Sequence, residues 1–291
     1  MLKRQSRRLA GVSLILLFLV SCATHQAKLS GPRDLIRAGQ YTEAAEELKK
    51  LTEESGGDKL LFLMEYGTAL RIAGRFKESN QAFLQADKLS DELDYHSVSR
   101  VAIAALGSEE MLQYKGESYE KLLINAYLAM NFIALGDRDA AMVEVRRIND
   151  KVNKLRADGR SDYEYNPFAI YLSALIWEAD RRFDDAYIAY EKAYKLAPGL
   201  PALPTDLVRS AKLARRMDTY EKWKREFPQV KEDSSWYDNK LGEVIVVYEQ
   251  GWGPKKDYSY ADHRIPQLVP QSSMTKQILV KANNNKAYST K

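Results

Sequence analysis

The sharpest polar cluster in the chain is Glu117, Glu120, Glu144, Arg146 and Arg147. Glu117 and Glu120 are three residues apart, so on one helix they share a face. Paired carboxylates can divide acid and base work when their surroundings split their pKa values, and a glycan-acting enzyme would use them that way. The competing expectation is structural. Acids that open a helix favour its dipole, and Glu144 to Arg147 has helical ion-pair spacing. Buried Arg–Glu pairs would then fix the register of the irregular stretch 94–147. Little else in the chain supports catalysis. There is no G-x-x-x-x-G-K-[ST], no H-E-x-x-H and no G-x-S-x-G. The histidines, His25, His96 and His263, are scattered. No metal site, cofactor or enzymatic activity is expected, and the glycan-acting reading through Glu117 and Glu120 stands as the alternative.

Cys22 is the sole cysteine, so no disulfide framework can form within the chain. Before it lie Lys3, Arg4, Arg7 and Arg8, with no acid, and then a mostly apolar run from Leu9 to Val20. A helix of about a dozen residues spans about 18 Å, whereas a bilayer core needs about 20 residues. The run therefore reads as the apolar core of a signal peptide over 1–21. It ends in Leu19-Val20-Ser21-Cys22, which resembles the lipobox of bacterial lipoproteins. That resemblance implies cleavage after Ser21, diacylglycerol on the Cys22 sulfur and an added acyl chain such as palmitate. Two or more chains anchor a protein stably, at about 0.8 kcal/mol per buried CH₂. Ala23 stands where an Asp would signal inner-membrane retention in enteric-type sorting, so an outer-membrane protein facing the periplasm is expected. Removing the signal removes four cations. The remainder holds 40 basic and 40 acidic residues, which gives no support for nucleic-acid binding.

After a tether at 22–30, a recurring scheme dominates. Gly39-Gln-Tyr41-Thr-Glu-Ala44, with Leu48 four residues on, returns as Gly74-Arg-Phe76-Lys-Glu-Ser79 with Phe83. The same scheme covers Gly136 to Ala141 with Val145, and Arg181-Arg-Phe183 to Ala186 with Tyr190. A glycine suits the tight turn between two helices. The aromatic plugs the turn, the small residue lets the helices approach, and the large one fills the gap to the next pair. Leu60–Ile72 and Pro167–Ala179 read as first helices of such pairs, and 205–227 as a further pair. The arrangement resembles tetratricopeptide (TPR) repeats, well matched at 60–93 and 167–200 and loosely at 31–56 and 122–155. The fold expected is mostly α: a TPR-like helical-hairpin solenoid over 31–228. By that register Tyr171 lies on the concave groove with Phe168, Leu175 and Glu178. Arg71, Met130 and Ile133 occupy matching positions, as do Leu61, Met64 and Leu123. Tyr171 is the expected aromatic anchor, and Glu178 the expected selector of a basic partner.

The composition changes after Phe227-Pro228. Gly242–Glu249 is β-branched and strand-like, 250–254 is a turn, Lys276–Lys281 is a second strand candidate, and Asn283-Asn-Asn285 a further turn. A β-containing tail over 229–291 is expected. Few strands are marginal alone, so the tail must pack on the helices, pair with another chain, or open a truncated domain.

Three stretches resemble an uncharacterised family of TPR-containing bacterial outer-membrane lipoproteins. They are Tyr114 to Glu120 with Asn125 to Asp137, Met142 to Arg147, and Gly242 to Lys255. The resemblance implies a non-catalytic adaptor, held on the lipid bilayer through acylated Cys22, that engages an envelope protein or peptide in peptidoglycan synthesis or outer-membrane assembly.

Overall fold

The computed structural model describes residues 25–54, 56–104, 113–238, 240–241, 244–249, 251, 253, 255–257, 267–269, 278–282 and 286–290, with backbone alone at 25–26, at 95–104 and in the strands. The signal segment and Cys22 lie outside the described residues. The chain divides into two units, 1–232 and 233–291.

The first unit is helical. Its elements are α1 (His25–Arg37), α2 (Tyr41–Glu53), α3 (Lys59–Ile72), α4 (Phe76–Ala104), α5 (Ser118–Ala134), α6 (Arg138–Ala157), α7 (Pro167–Ala179), α8 (Phe183–Leu196), α9 (Leu203–Leu213) and α10 (Met217–Glu226). They pair as five hairpins, and each pair is closed by the same three-residue turn. The middle residue of the turn is left-handed: Gly39, Gly74, Gly136, Arg181 and Arg215, with φ between 58° and 78°. The residue after it donates its N–H back five positions: Gln40 to Leu35, Arg75 to Leu70, Asp137 to Phe132, Arg182 to Trp177 and Arg216 to Ala211, all at 2.8–2.9 Å. The middle residue itself donates to Ile36, Arg71, Ile133, Glu178 or Lys212 at 2.8–3.0 Å. This double bond pattern satisfies carbonyls that the helix end would otherwise leave orphaned. Five repetitions of one turn make the chain a TPR-like helical-hairpin array.

Packing follows the scheme read from the sequence. Ala44, Ser79, Ala141 and Ala186 are fully buried, and so, within 1%, are Leu48, Phe83, Val145 and Tyr190. At the α3–α4 crossing the approach is close enough that a Cβ on Gly67 would stand 2.9 Å from the Phe83 ring. Each second helix also packs on the first helix of the next hairpin, and α5 packs on α7 as well.

Two boundaries differ from the expectation. Helix α1 begins at His25, so most of the stretch 22–30 is helical and Pro32 lies inside the helix. Proline removes one helical hydrogen bond, but Leu29 is fully buried against Ala45, Leu48 and Phe62, and that burial holds the first turns in place. At the other end the helical unit runs past Pro228 to Glu232. The Glu232 carboxylate accepts from the Tyr220 hydroxyl and, at 2.8 Å, from Lys212.

Among the described residues of the second unit, β1 (Lys255–Asp257) pairs antiparallel with β2 (Gln267–Val269), and β3 (Ile278–Ala282) with β4 (Lys286–Thr290). Residues 244–249 carry no ladder, contrary to the strand reading of Gly242–Glu249, and Val244 is 88% exposed. Strand propensity is largely packing against neighbours, and among the described residues none pairs with this stretch. The expected turn at 283–285 lies outside the described residues. No described helix is long and apolar enough to cross a membrane.

Candidate interaction site

The first helices (α1, α3, α5, α7, α9) carry the residues expected to line the groove. Phe168 and Tyr171 are half-buried there, and Ile133 is 46% exposed. Met130 and Leu175, at 8% and 9%, are buried and offer a partner little surface. The polar members are engaged within the array. Arg71 donates to Asn131 Oδ1 at 2.7 Å, touches Met130 Sδ at 3.5 Å and lies over the Tyr127 ring at 5.4 Å. Asn131 in turn donates to Ser79 Oγ at 2.8 Å, and Ser79 to the Gly67 carbonyl at 2.7 Å. A buried polar thread thus joins the second hairpin to the third.

The reading of Glu178 as a selector of a basic partner is corrected by its surroundings. Its carboxylate accepts from Arg209 Nε at 2.7 Å and Nη2 at 2.9 Å, and from the Tyr190 hydroxyl at 2.6 Å. Arg209 also donates to Asp206 at 2.9 Å, and the Tyr171 hydroxyl donates to Asp206 at 2.7 Å. The exposures of Arg209, Glu178 and Asp206 are 11%, 13% and 7%. Burial and the adjacent Glu178 push the Tyr190 hydroxyl above its ordinary range, so it stays a donor. Burial opposes the Arg209 charge, but the bonds to Glu178 more than offset it. This knot clamps α7 to α9. Of the residues expected on the groove, Phe168, the Tyr171 ring, Ile133, Leu61, Met64 and Leu123 keep accessible apolar surface.

The carboxylate cluster resolves into structural pieces. Glu120 stands at the third position of α5 and accepts from the Glu117 backbone N–H at 2.7 Å and from the Tyr114 hydroxyl at 2.6 Å. This is the reciprocal half of a capping box. Burial, then Glu120 and Glu117, raises the Tyr119 hydroxyl to about 12. Glu144 is buried and accepts from Asn125 at 2.8 Å. Burial raises its pKa against the lowering effect of Asn125 and Arg147. Arg147 and Lys151 reach Asp87 on α4 at 3.1 and 2.5 Å, a cross-hairpin contact that no expectation named, and Arg147 also stands 3.6 Å from Glu144. Arg146 goes elsewhere, 5.8 Å above the Trp177 ring.

A cleft that sequence reasoning missed opens on the second-helix side, between α6, α7 and α8. It holds about 150 Å³. Its lining includes Ile148, Val152, Ile170, Trp177, Ile188 and Ala189 together with Asn149, Asn153 and Ser173. At its rim Lys192 Nζ donates to Asn149 Oδ1 at 3.0 Å and Asn153 Oδ1 at 3.3 Å. Asp185 also lines the cleft but is bonded to Arg182, at 2.9 Å, and the Arg182 guanidinium lies 4.4 Å from the Trp177 ring. Burial, then the like charges of Arg156 and Lys195, holds the Lys192 pKa below its ordinary value. The available signal was Asn149 and Asn153, four apart on one helix face. Their lysine lies some forty residues away, beyond any local pattern. Among the described residues no cluster of His, Cys, Asp or Glu is arranged to hold a metal ion.

No family model and no curated protein matches the chain. Solved structures that resemble it include a Podosopora anserina putative kinesin light chain with nearly identical TPR-like repeats, 14% identical with TM-score 0.44, covering 70% of this chain and 93% of that one. MamA 41-end from Desulfovibrio magneticus RS-1 is 14% identical with TM-score 0.42, covering 70% and 91%. Another MamA structure is 12% identical with TM-score 0.42, covering 76% and 97%. The repeat assignment rests on the five turns and their packing, not on likenesses this distant.

Proposed function

We propose that the protein is a non-catalytic scaffold, anchored in the outer membrane through acylated Cys22, that gathers an envelope protein or peptide for peptidoglycan synthesis or outer-membrane assembly. The observation that carries the scaffold reading is the array itself. Five stacked hairpins expose long faces, and polar groups between hairpins such as Arg71, Asp87 and Arg209 are bonded within the array, leaving apolar positions such as Ile72 and Ile133 toward solvent. The anchor and the compartment rest on the lipobox-like Leu19–Cys22. The test is a photo-crosslinking amino acid placed at Ile133 or Phe168 in growing cells, alongside fatty-acid labelling of the protein and of Cys22→Ser. Discrete adducts of fixed mass, and label lost with Cys22→Ser, are expected. Absence of adducts from both positions overturns the scaffold, and retention of label by Cys22→Ser overturns the anchor.

A further inference from the structure

Helix α6 sets Arg146, Asn149, Asn153 and Arg156 at successive spacings of three, four and three residues, so they form one stripe along the helix. All four are exposed. Lys192 reaches the middle of the stripe from α8 and donates to Asn149 Oδ1 at 3.0 Å and Asn153 Oδ1 at 3.3 Å. An ammonium only donates, so both amide oxygens face it and both Nδ2 groups are turned away from it, as further donors. Three cations therefore follow one another: Arg146, Lys192 and Arg156. At 1.5 Å per residue the two arginine Cα atoms stand about 15 Å apart along the axis, with Lys192 held about midway.

Among the described residues no carboxylate pairs with any of the three. On α8, Glu191 is bonded to Lys195 and Asp185 to Arg182. On α7, Glu178 is bonded to Arg209. On α6, Glu144 is buried on the far side, near Arg147. Asp150, four residues after Arg146, lies toward Lys151, and Arg146 turns instead to the Trp177 ring, 5.8 Å away. The like charges of Arg156 and Lys195 act on Lys192. The stripe thus carries positive potential that the array itself does not balance.

Spacing and depth select the ligand. In an extended peptide alternate side chains point to one face, about 6.6–6.8 Å apart, close to the interval of about 7.5 Å between successive cations here. Lys192 is half-buried in a cleft of about 150 Å³, whereas both arginines are exposed. A flat anionic bilayer would meet the arginines first, while a narrow chain can lower one carboxylate to Lys192.

We propose that the Arg146–Lys192–Arg156 stripe is a docking surface for an extended acidic segment of a partner polypeptide, with carboxylates at alternate residues and the middle one received by Lys192, Asn149 and Asn153. The polypeptide nature of the partner rests on the scaffold reading, while the anionic character follows from the stripe.

The experiment is fluorescence anisotropy of full-length protein with an N-terminally fluorescein-labelled peptide, Gly-Ser-Asp-Gly-Asp-Gly-Asp-Ser-Gly. The same peptide with asparagine for each aspartate is run beside it. The acidic peptide is expected to bind at least tenfold more tightly at low ionic strength, by a margin that shrinks as salt is added. Lys192→Gln and Arg156→Gln should each weaken it at least threefold. Lys154→Gln makes the same change of charge at an exposed position about 100° round α6 from Asn153, and it should leave binding unchanged. Equal binding of the two peptides, or no binding of the acidic one at millimolar protein, overturns the site. An equal loss with Lys154→Gln overturns the stripe in favour of diffuse attraction. Displacement by inorganic phosphate at equal concentration overturns the three-point match. Displacement by phosphatidylglycerol vesicles but not by phosphatidylcholine vesicles overturns the polypeptide occupant in favour of a lipid surface. Photo-crosslinks from Ile133 and Phe168, on first helices, test the scaffold separately.

Discussion

Arg209→Met should cost the array about 3 kcal/mol at pH 7. Arg209 sits between Glu178 and Asp206 with bonds of 2.7, 2.9 and 2.9 Å, and all three side chains are less than 15% exposed. Methionine keeps much of the length and none of the charge. Removing one partner of a buried ion pair typically costs about 3–5 kcal/mol. Protonation sets a ceiling, because holding one carboxylate neutral at pH 7 against an ordinary value near 4.3 costs about 3.7 kcal/mol. The tyrosine hydroxyls of residues 171 and 190 still donate to the two acids, which keeps the expected loss below that ceiling. The pH dependence has a definite sign. In the variant the folded-state carboxylate pKa is raised, so between about pH 4.3 and that raised value the folded protein binds more protons than the unfolded chain. Stability then rises as pH falls, and the gap to wild type should narrow from pH 7 to pH 5. The assay is urea unfolding at both pH values, with hydrogen exchange of α9 to catch local opening, since arrays can unfold hairpin by hairpin. A loss under 1 kcal/mol at pH 7, or a gap unchanged at pH 5, refutes the view that Arg209 balances two buried acids.

Arg215→Gly should stabilise the last hairpin by about 1 kcal/mol, because Arg215 is exposed at φ 58° and a left-handed L-residue costs about 1–2 kcal/mol, partly offset by the extra chain entropy of glycine. An unchanged or lower urea midpoint would contradict that. Gly67→Val should destabilise by about 1–3 kcal/mol through overpacking, since its Cβ alone would meet the Phe83 ring at 2.9 Å and valine is a mediocre helix former. A wild-type melting temperature would show that α3 and α4 can separate without cost.

Features confined to one hairpin were legible in the sequence. The small residues 44, 79, 141 and 186 and the large ones four positions on mark the helix crossings because both members lie on one helix face, at helical spacing. The turn was legible where glycine fills its left-handed position. At Arg181 and Arg215 the same turn is held by its two backbone hydrogen bonds, so residue type gave less warning. The start of α1 was missed because Gly31-Pro32 reads as a boundary, whereas burial of Leu29 extends the helix across it. The partners of Glu178, Asp87 and Lys192 were not legible at all. They lie 12 or 31, 60 or 64, and 39 or 43 residues away, and nothing in the local pattern selects them. Register put Tyr171 and Glu178 on one face of α7, but only the position of α9 reveals that their polar atoms are already bonded.

Those distant partners bear on where selectivity can reside. A stack of hairpins buries similar apolar surfaces at every junction, so apolar burial alone leaves the register of one hairpin on the next weakly specified. Polar contacts that close only in one register supply the distinction: Asp87 with Arg147 and Lys151, Arg71 with Asn131, and Arg209 with Glu178 and Asp206. A group used in this way is unavailable to a partner, because pulling it away would leave its mate buried and unpaired, at a cost of several kcal/mol. The first-helix face, which holds the Arg71 and Arg209 contacts, is therefore suited to apolar and shape-based recognition through Phe168, the Tyr171 ring and Ile133.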